Sequence, residues 1–240
     1  MKTITFPISK EEATGLVRDF FVHGLLTDVI KAEQAISIYK RIADHHGSLI
    51  SGNKYQLDLF STLQRYSFDQ TILSLGRLYD SNTWQATRSA VNLLGKLNEY
   101  APYLPEIIED HLTTQLLRKQ GFQEDVICLV TNENSSLFPM AISSHYTRML
   151  AKPELLESVS RLKYIRDKQL AHNDQDAEIK GIGWDKLDML FKFIKDVIDI
   201  IGQAYYGSSY RISADAESSS FFVEEIIRQL RTISDDVLHA

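Results

Sequence analysis

The run Arg166-Asp167-Lys168-Gln169-Leu170-Ala171-His172 is the part of this chain whose residue types and spacing best suit chemistry. It joins a permanently charged guanidinium to an imidazole, the side chain that titrates closest to neutral pH. Familiar catalytic patterns are absent elsewhere, because the chain has no GxxxxGK(S/T) loop, no GxGxxG turn and no GxSxG elbow. The search for function therefore starts at this run.

A metal site has no local support in the sequence. The chain contains neither a CxxC nor an HExxH pattern. The adjacent His45 and His46 would point about 100° apart on a helix and so would not chelate one ion together. We therefore expect no metal and no cofactor.

The run Arg166 to His172 forms the C-terminal end of a helix predicted from Pro153 to about His172, with proline in its first turn. Arg166 and His172 are predicted to flank the apolar stripe of this helix, which consists of Leu155, Val159 and Leu162. Six residues of regular α-helix separate two side chains by about 120° and about 9 Å of rise. The two side chains would therefore converge only if the helix ends near Ala171, or if a second copy crosses the first in a symmetric dimer.

These residues also carry a family resemblance. Arg166-x5-His172, with the polar Asp167 directly after the arginine, resembles the R-x(4–6)-H motif of HEPN domains (higher eukaryotes and prokaryotes nucleotide-binding). The wider pattern from Tyr164 to Asp174 resembles the AbiU-type branch of phage abortive-infection and toxin systems, as does Arg77-Leu78-Tyr79-Asp80. The likeness covers roughly residues 53 to 205.

The resemblance implies a metal-independent endoribonuclease in which a homodimer brings both motifs into one cleft. The ribose 2′-OH of RNA would attack the adjacent phosphate and leave a 2′,3′-cyclic phosphate. His172 would move a proton, Arg166 would hold the phosphate, and Asp167 would orient the pair. Four further residues would bind substrate or support the site: Lys163, Lys168, Arg77 and Asp80. A toxin or defence context implies an antitoxin protein as a possible further partner.

Other interpretations remain open at this point. Many toxin members have a tyrosine two residues after the histidine, where this chain has Asp174, so regulation through that tyrosine is not expected here. An alternative interpretation places Arg166 in a buried ion pair with Asp167, Asp174 or Asp80, and another makes Arg77 and Asp80 a surface pair. The alternative function is a noncatalytic HEPN-like module that binds nucleotide, RNA or a partner protein, and a plain helical interaction protein is a third.

We expect helices to position such a site. The chain has only 11 Gly and 5 Pro residues among 240, and this scarcity of breaking residues favours long helices. We predict an all-α fold, an antiparallel bundle with additional peripheral helices, in one domain spanning residues 1–240. Its core would lie at about 53–205, with N- and C-terminal helices packing on it. The predicted helices are 9–22, 28–46, 53–80, 84–100, 105–120, 124–130, 153–172, 184–205 and 220–237, with a strand as the alternative for 126–130.

Composition and charge narrow the class of protein. The net charge of −6 argues mildly against bulk nucleic-acid binding, although Arg148 to Lys168 has six basic residues against three acidic ones. The single cysteine, Cys128, lies in an apolar run, which predicts a buried and inert thiol. With no long apolar segment, we expect a cytoplasmic protein that does not enter the membrane.

Overall fold

In the computed structural model every regular element among the described residues is a helix, which confirms the all-α prediction. The structure describes residues 8–45, 47, 54–81, 87–108, 111–171, 181–207, 221 and 223–228, and none of these belongs to a β-strand. None of the helices in these ranges is long and apolar enough to cross a membrane.

The N-terminal helix α1 (Lys10–Asp19) begins at Ser9 with the predicted capping box. The Ser9 side chain accepts a hydrogen bond of 3.1 Å from the Glu12 N–H, and the Glu12 carboxylate accepts one of 2.9 Å from the Ser9 N–H. The predicted break after residue 22 is wrong, because a π-helical segment, Phe20–Leu26, joins α1 directly to α2 (Thr27–Asp44). Its phenylalanines and leucines are buried, so continuing the helix keeps them in the core.

The long helix α3 (Lys54–Leu78) lies antiparallel to α2 and closely matches the predicted helix 53–80. Two contacts fix this orientation, since Gln64 reaches the Tyr39 carbonyl while Arg77 reaches Asp28. The two helices therefore form a hairpin whose open end carries the C-terminus of α3.

The helices that follow are α4 (Ala90–Tyr100), α5 (His111–Lys119), α6 (Glu124–Cys128) and α7 (Phe138–Leu150). Helices α4 and α5 are shorter than predicted, and α7 was not predicted. Ser89 caps α4 by accepting a 3.2 Å hydrogen bond from the Asn92 N–H, so this helix starts later than residue 84. The predicted cap Thr83 lies outside the described residues.

Residues 126–130 are helical, so the strand alternative is excluded, and α6 continues into a π-helical segment, Leu129–Glu133. The expected burial of Cys128 is wrong, because its side chain is exposed. Ile127 and Val130 are both about 1% exposed. They lie three residues apart on one helix face, so Cys128 is turned away from the core.

Two C-terminal helices complete the part of the fold that positions the candidate site. Helix α8 (Pro153–Tyr164) continues into a π-helical turn, Ile165–Ala171. Helix α9 (Trp184–Tyr206) ends at Gly207, which adopts the left-handed conformation with φ of 61°. Most of α9 is buried, and its apolar residues join one core cluster that extends from Ala13 to Ala204.

Candidate functional site

Arg166 lies in the π-helical turn and connects it to the C-terminal end of α3. Its side chain is 17% exposed. Arg166 Nε donates to Asp167 Oδ1 at 2.6 Å, and Nη1 donates to the Gly76 carbonyl at 3.1 Å and to Asp80 Oδ2 at 3.4 Å. A guanidinium buried to this extent is stabilised only if it is paired, and two carboxylates pair it here.

The electrostatic effect of this pairing is to keep Arg166 charged. The hydrogen bond to Asp167 raises the pKa of Arg166; desolvation opposes that change, and the charges of Asp167 and Asp80 add to the increase. Nη2 of Arg166 has no hydrogen-bond acceptor among the described residues. The guanidinium is thus held through Nε and Nη1, while Nη2 is not engaged by that portion of the chain.

Gly76 is a residue of this site that the sequence interpretation missed. A Cβ atom built on Gly76 would lie 2.7 Å from Cδ of Arg166, closer than real side chains tolerate. The stem of Arg166 therefore lies directly against the α3 backbone because residue 76 has no side chain. An isolated glycine inside a long helical pattern was the available signal.

Asp80 is placed by the end of α3. Helix α3 ends at Leu78, and the next residue, Tyr79, is completely buried and donates its hydroxyl to the Leu190 carbonyl of α9 at 2.6 Å. Asp80 then follows with its side chain 23% exposed. The Tyr79 anchor thereby holds the Asp80 carboxylate next to Arg166.

Arg77, also predicted as a supporting residue, makes its contacts on another side of α3. Its Nε and Nη2 donate to the Asp28 carboxylate at distances of 2.7 to 3.1 Å, and Nη2 also donates to Ser74 Oγ at 3.1 Å. Arg77 thus joins α3 to α2, whereas Asp80 joins α3 to the π-helical turn. The structure brings Asp80 to Arg166 and gives Arg77 a different partner, Asp28.

The two predicted lysines lie on the same helical segment as Arg166. Lys163 Nζ donates to Ser81 Oγ at 3.2 Å, so its ammonium group lies beside the residue that follows Asp80. Lys168 is exposed on the π-helical turn. Lys163 therefore contributes positive charge near the end of α3.

His172 lies outside the described residues, and the structure follows the helix to Ala171. The turn that leads to it has π-helical hydrogen bonding from Ile165 to Ala171. The regular α-helical spacing assumed from the sequence therefore does not hold over Ile165–Ala171. Single π-helical turns inside α-helices are frequent at functional sites.

The described residues contain no cluster of three or more histidine, cysteine, aspartate or glutamate side chains placed to hold a metal ion. The polar groups that contact Arg166 are instead two carboxylates and a backbone carbonyl, and Lys163 lies nearby at Ser81. This set can orient a guanidinium and attract an anion.

A HEPN family model described as AbiU2 matches residues 17–226. The match extends the likeness beyond residues 53 to 205 at both ends and includes every predicted site residue. No curated protein and no solved structure matched the chain.

Proposed function

The chain belongs to the AbiU2 family of HEPN proteins, and on that premise we propose that it is a metal-independent endoribonuclease of a toxin or phage-defence system. The observation that carries the proposal is the oriented guanidinium of Arg166. Asp167, Asp80 and the Gly76 carbonyl hold its Nε and Nη1, which leaves Nη2 to donate to a phosphate oxygen. A donor fixed before substrate binds stabilises developing charge without reorganisation.

The proposed reaction is an internal transfer at one RNA phosphate. The ribose O2′–P bond forms, the P–O5′ bond breaks, and the product is a 2′,3′-cyclic phosphate with a free 5′-hydroxyl. The 2′-OH loses a proton and O5′ gains one; His172 carries out one of these transfers and water the other, since an unperturbed imidazole has a pKa of about 6.5. Arg166 binds the non-bridging oxygens, whose negative charge increases in the transition state.

The remaining residues have positioning or binding roles in this proposal. Asp167 and Asp80 orient Arg166, while Lys163 and Lys168 attract the RNA backbone. Arg77 supports the site indirectly, because its pairing with Asp28 holds α3 against α2.

The proposal includes a homodimer in the cytoplasm. Each subunit would consist of one helical domain, residues 1–240. In catalytic HEPN proteins two copies of the motif meet in one cleft, and the family resemblance supports the same arrangement here. A separate antitoxin protein would keep such an enzyme inactive in the producing cell.

Substitution of the two motif residues tests the assignment. Purified protein incubated with single-stranded RNA in EDTA should cleave it, and Arg166→Ala and His172→Ala should each reduce the rate by at least about 100-fold. Arg118→Ala is the matched control, because Arg118 is exposed and paired with Glu124 away from the motif. Equal loss in the control, or retained cleavage in both motif variants, would overturn the assignment.

A mixing experiment tests the composite cleft. Light scattering should give a dimer at micromolar concentration. Refolding the two inactive variants together should restore part of the activity if Arg166 of one copy acts with His172 of the other. A monomer, or no recovery from a verified mixed dimer, would contradict the shared site.

One observation favours the noncatalytic alternative. Arg166 is 17% exposed and paired with two carboxylates. The same burial and pairing are expected of an ion pair whose only role is to hold helices together. In that case the protein would bind RNA, nucleotide or a protein partner without cleavage. Binding that is lost in Arg166→Ala, with no product from wild-type protein, would establish the alternative.

A further inference from the structure

The N-terminal half of α3 carries a row of large apolar side chains that the rest of the described chain leaves uncovered. Tyr55, Leu59, Leu63 and Tyr66 are between 39% and 81% exposed. At about 100° per residue, the four positions fall within one face of α3 that is roughly 80° wide. Apolar side chains that are exposed singly are ordinary, whereas a contiguous apolar patch marks a contact with another molecule. We call these four side chains the α3 stripe.

A groove between α3 and α2 lies beside the α3 stripe. Its volume is about 640 Å³, and Ala35 and Ile38 of α2 line it together with Leu63 and Tyr66. The stripe therefore adjoins recessed surface, into which large side chains of a bound molecule would extend.

A row of charged side chains follows the other flank of the α3 stripe. Lys54, Asp58, Arg65 and Asp69 lie about 110° from its centre, and their charges alternate in sign along the helix. The first three side chains are exposed, and none of the four forms an ion pair with another described residue. Burial raises the pKa of Asp69, and the charge of Arg65 offsets only part of that change. Within the described ranges these charges are therefore not neutralised by salt bridges.

Pairing inside α3 does not account for this charged row. Lys54 and Asp58 are four residues apart, as are Arg65 and Asp69, and such neighbours can pair along a helix. The cation comes first in both pairs, which is the less favourable order, and neither pair closes to ion-pair distance. The row is therefore available to a second molecule.

The charged row is complementary to itself when two copies of α3 lie antiparallel. Asp58 and Arg65 have the same midpoint along the helix as Lys54 and Asp69. A two-fold axis at that midpoint places Lys54 opposite Asp69 of the second copy, and Asp58 opposite its Arg65, with each contact occurring twice. The same flank of each helix then meets across the axis, so the two charged rows face each other while the two stripes pack together.

A parallel arrangement lacks this complementarity. The two-fold axis then runs along the helices, so each charged row faces the opposite flank of the second copy. That flank contains Gln56, Ser67 and Gln70, and every charged residue between positions 54 and 70 belongs to the row itself. The charges would remain unpaired in that orientation.

We propose that the α3 stripe and its charged row bind the same surface of a second copy of this chain, in antiparallel orientation. Gly76, against which Arg166 lies, is about 22 Å along α3 from the two-fold axis. The two Arg166 side chains would then be roughly 40 Å apart, so this contact is separate from the shared motif cleft. The inference does not depend on RNA cleavage, and a chain that has both contacts forms a tetramer or a larger assembly.

Charge reversal at Asp58 and Arg65 tests this contact. Sedimentation velocity of the full chain over roughly 1–200 µM measures the assembly mass, since one helix pair is a small interface and should form only toward the upper limit. We expect the wild-type mass at least to double across this range. Asp58→Arg and Arg65→Asp should each abolish the increase, because each places like charges opposite one another across the two-fold axis.

Mixing these two variants should restore the increase in mass. Each introduced charge then faces its opposite on the other variant, which a role inside one helix or a failure to fold would not produce. Asp125→Arg is the matched control, because it reverses an exposed carboxylate on α6. Its assembly should match that of the wild type.

Three results would overturn the proposal. One is a wild-type mass that does not rise with concentration, which would leave the α3 stripe to a different protein or to another segment of this chain. The others are single variants that assemble like the wild type and a mixture that does not recover. At the lower concentration limit the wild type and both variants should have the same mass, so the α3 contact is measured separately from the motif dimer.

Discussion

Cδ of Arg166 lies so close to the α3 backbone at Gly76 that a Cβ atom at position 76 would be 2.7 Å away. The same arginine donates to the Gly76 carbonyl at 3.1 Å. The π-helical turn and the end of α3 are therefore joined by backbone contact, and the absence of a side chain at residue 76 permits it.

Gly76→Ala should displace Arg166 and reduce RNA cleavage at least about tenfold, with only a small change in stability. Alanine favours a helix interior over glycine by about 0.8–1.0 kcal/mol, which offsets part of the cost of moving the flexible arginine stem. Initial cleavage rates and thermal unfolding of the same preparation measure the two effects separately.

Gly95→Ala is the control for helix propensity, since a Cβ atom at Gly95 in α4 has no neighbour within 4 Å. We expect full activity and an equal or higher Tm. If Gly76→Ala matches Gly95→Ala in both measurements, the close approach of Arg166 has no functional role.

Removing Arg77 from its pair with Asp28 should destabilise the protein more than removing Asp28. The Asp28 side chain is 14% exposed and that of Arg77 is 48% exposed. Arg77→Gln leaves a mostly buried carboxylate without its cation and should cost about 1–2 kcal/mol, whereas Asp28→Asn leaves a solvated guanidinium and should cost less. Urea unfolding of both variants measures this order, and the reverse order would refute it.

Tyr79→Phe should lower the free energy of unfolding by about 1–2 kcal/mol, because a buried hydrogen bond to the Leu190 carbonyl is lost. Burial raises the pKa of the Tyr79 hydroxyl well above its ordinary value, and the charge of Asp196 raises it further, so the hydroxyl remains a donor at neutral pH. Tyr66→Phe is the control, since the Tyr66 side chain is 65% exposed. Equal effects of the two changes would argue against the anchor.

Asp199 should make stability depend on pH. The pKa of Asp199 is raised in the folded protein, mainly because the carboxyl group is partly buried. The folded state therefore binds the proton more tightly than the unfolded chain, and the stability gained from protonation is present below the unfolded pKa near ~3.9. That gain is lost as pH rises through the folded pKa.

Asp199→Asn should accordingly raise Tm at pH 7, and the difference from wild type should shrink as the solution is acidified toward pH 4. Paired melting curves at several pH values measure the trend. A difference that grows on acidification would contradict the direction of the shift.

The sequence predicted the long helices well, because their apolar periodicity and caps are local properties. Helix α3 was expected at 53–80 and occurs at Lys54–Leu78, and the Ser9–Glu12 capping box is present as predicted. Predictions near breaks were less accurate: burial of apolar side chains keeps the helix continuous through Phe20–Leu26, and α4 starts at Ala90.

The candidate site was predictable only in part. Pairing of Arg166 with Asp167 or Asp80 was one of the interpretations that the sequence left open, and the structure shows both contacts. The role of Gly76 and the partner of Arg77 depend on which helices pack together, and local periodicity does not contain that information. Cys128 was placed wrongly because an apolar run was interpreted without knowing which helix face is buried.

The chemical nature of the RNA ends tests the central claim most directly. Purified protein should be incubated with a defined single-stranded RNA in EDTA, and the products should be analysed by mass spectrometry. The account predicts 2′,3′-cyclic phosphate and 5′-hydroxyl ends that are absent with Arg166→Ala and with His172→Ala. Ends carrying 5′-phosphate, or cleavage that appears only after a divalent metal is added, would contradict it.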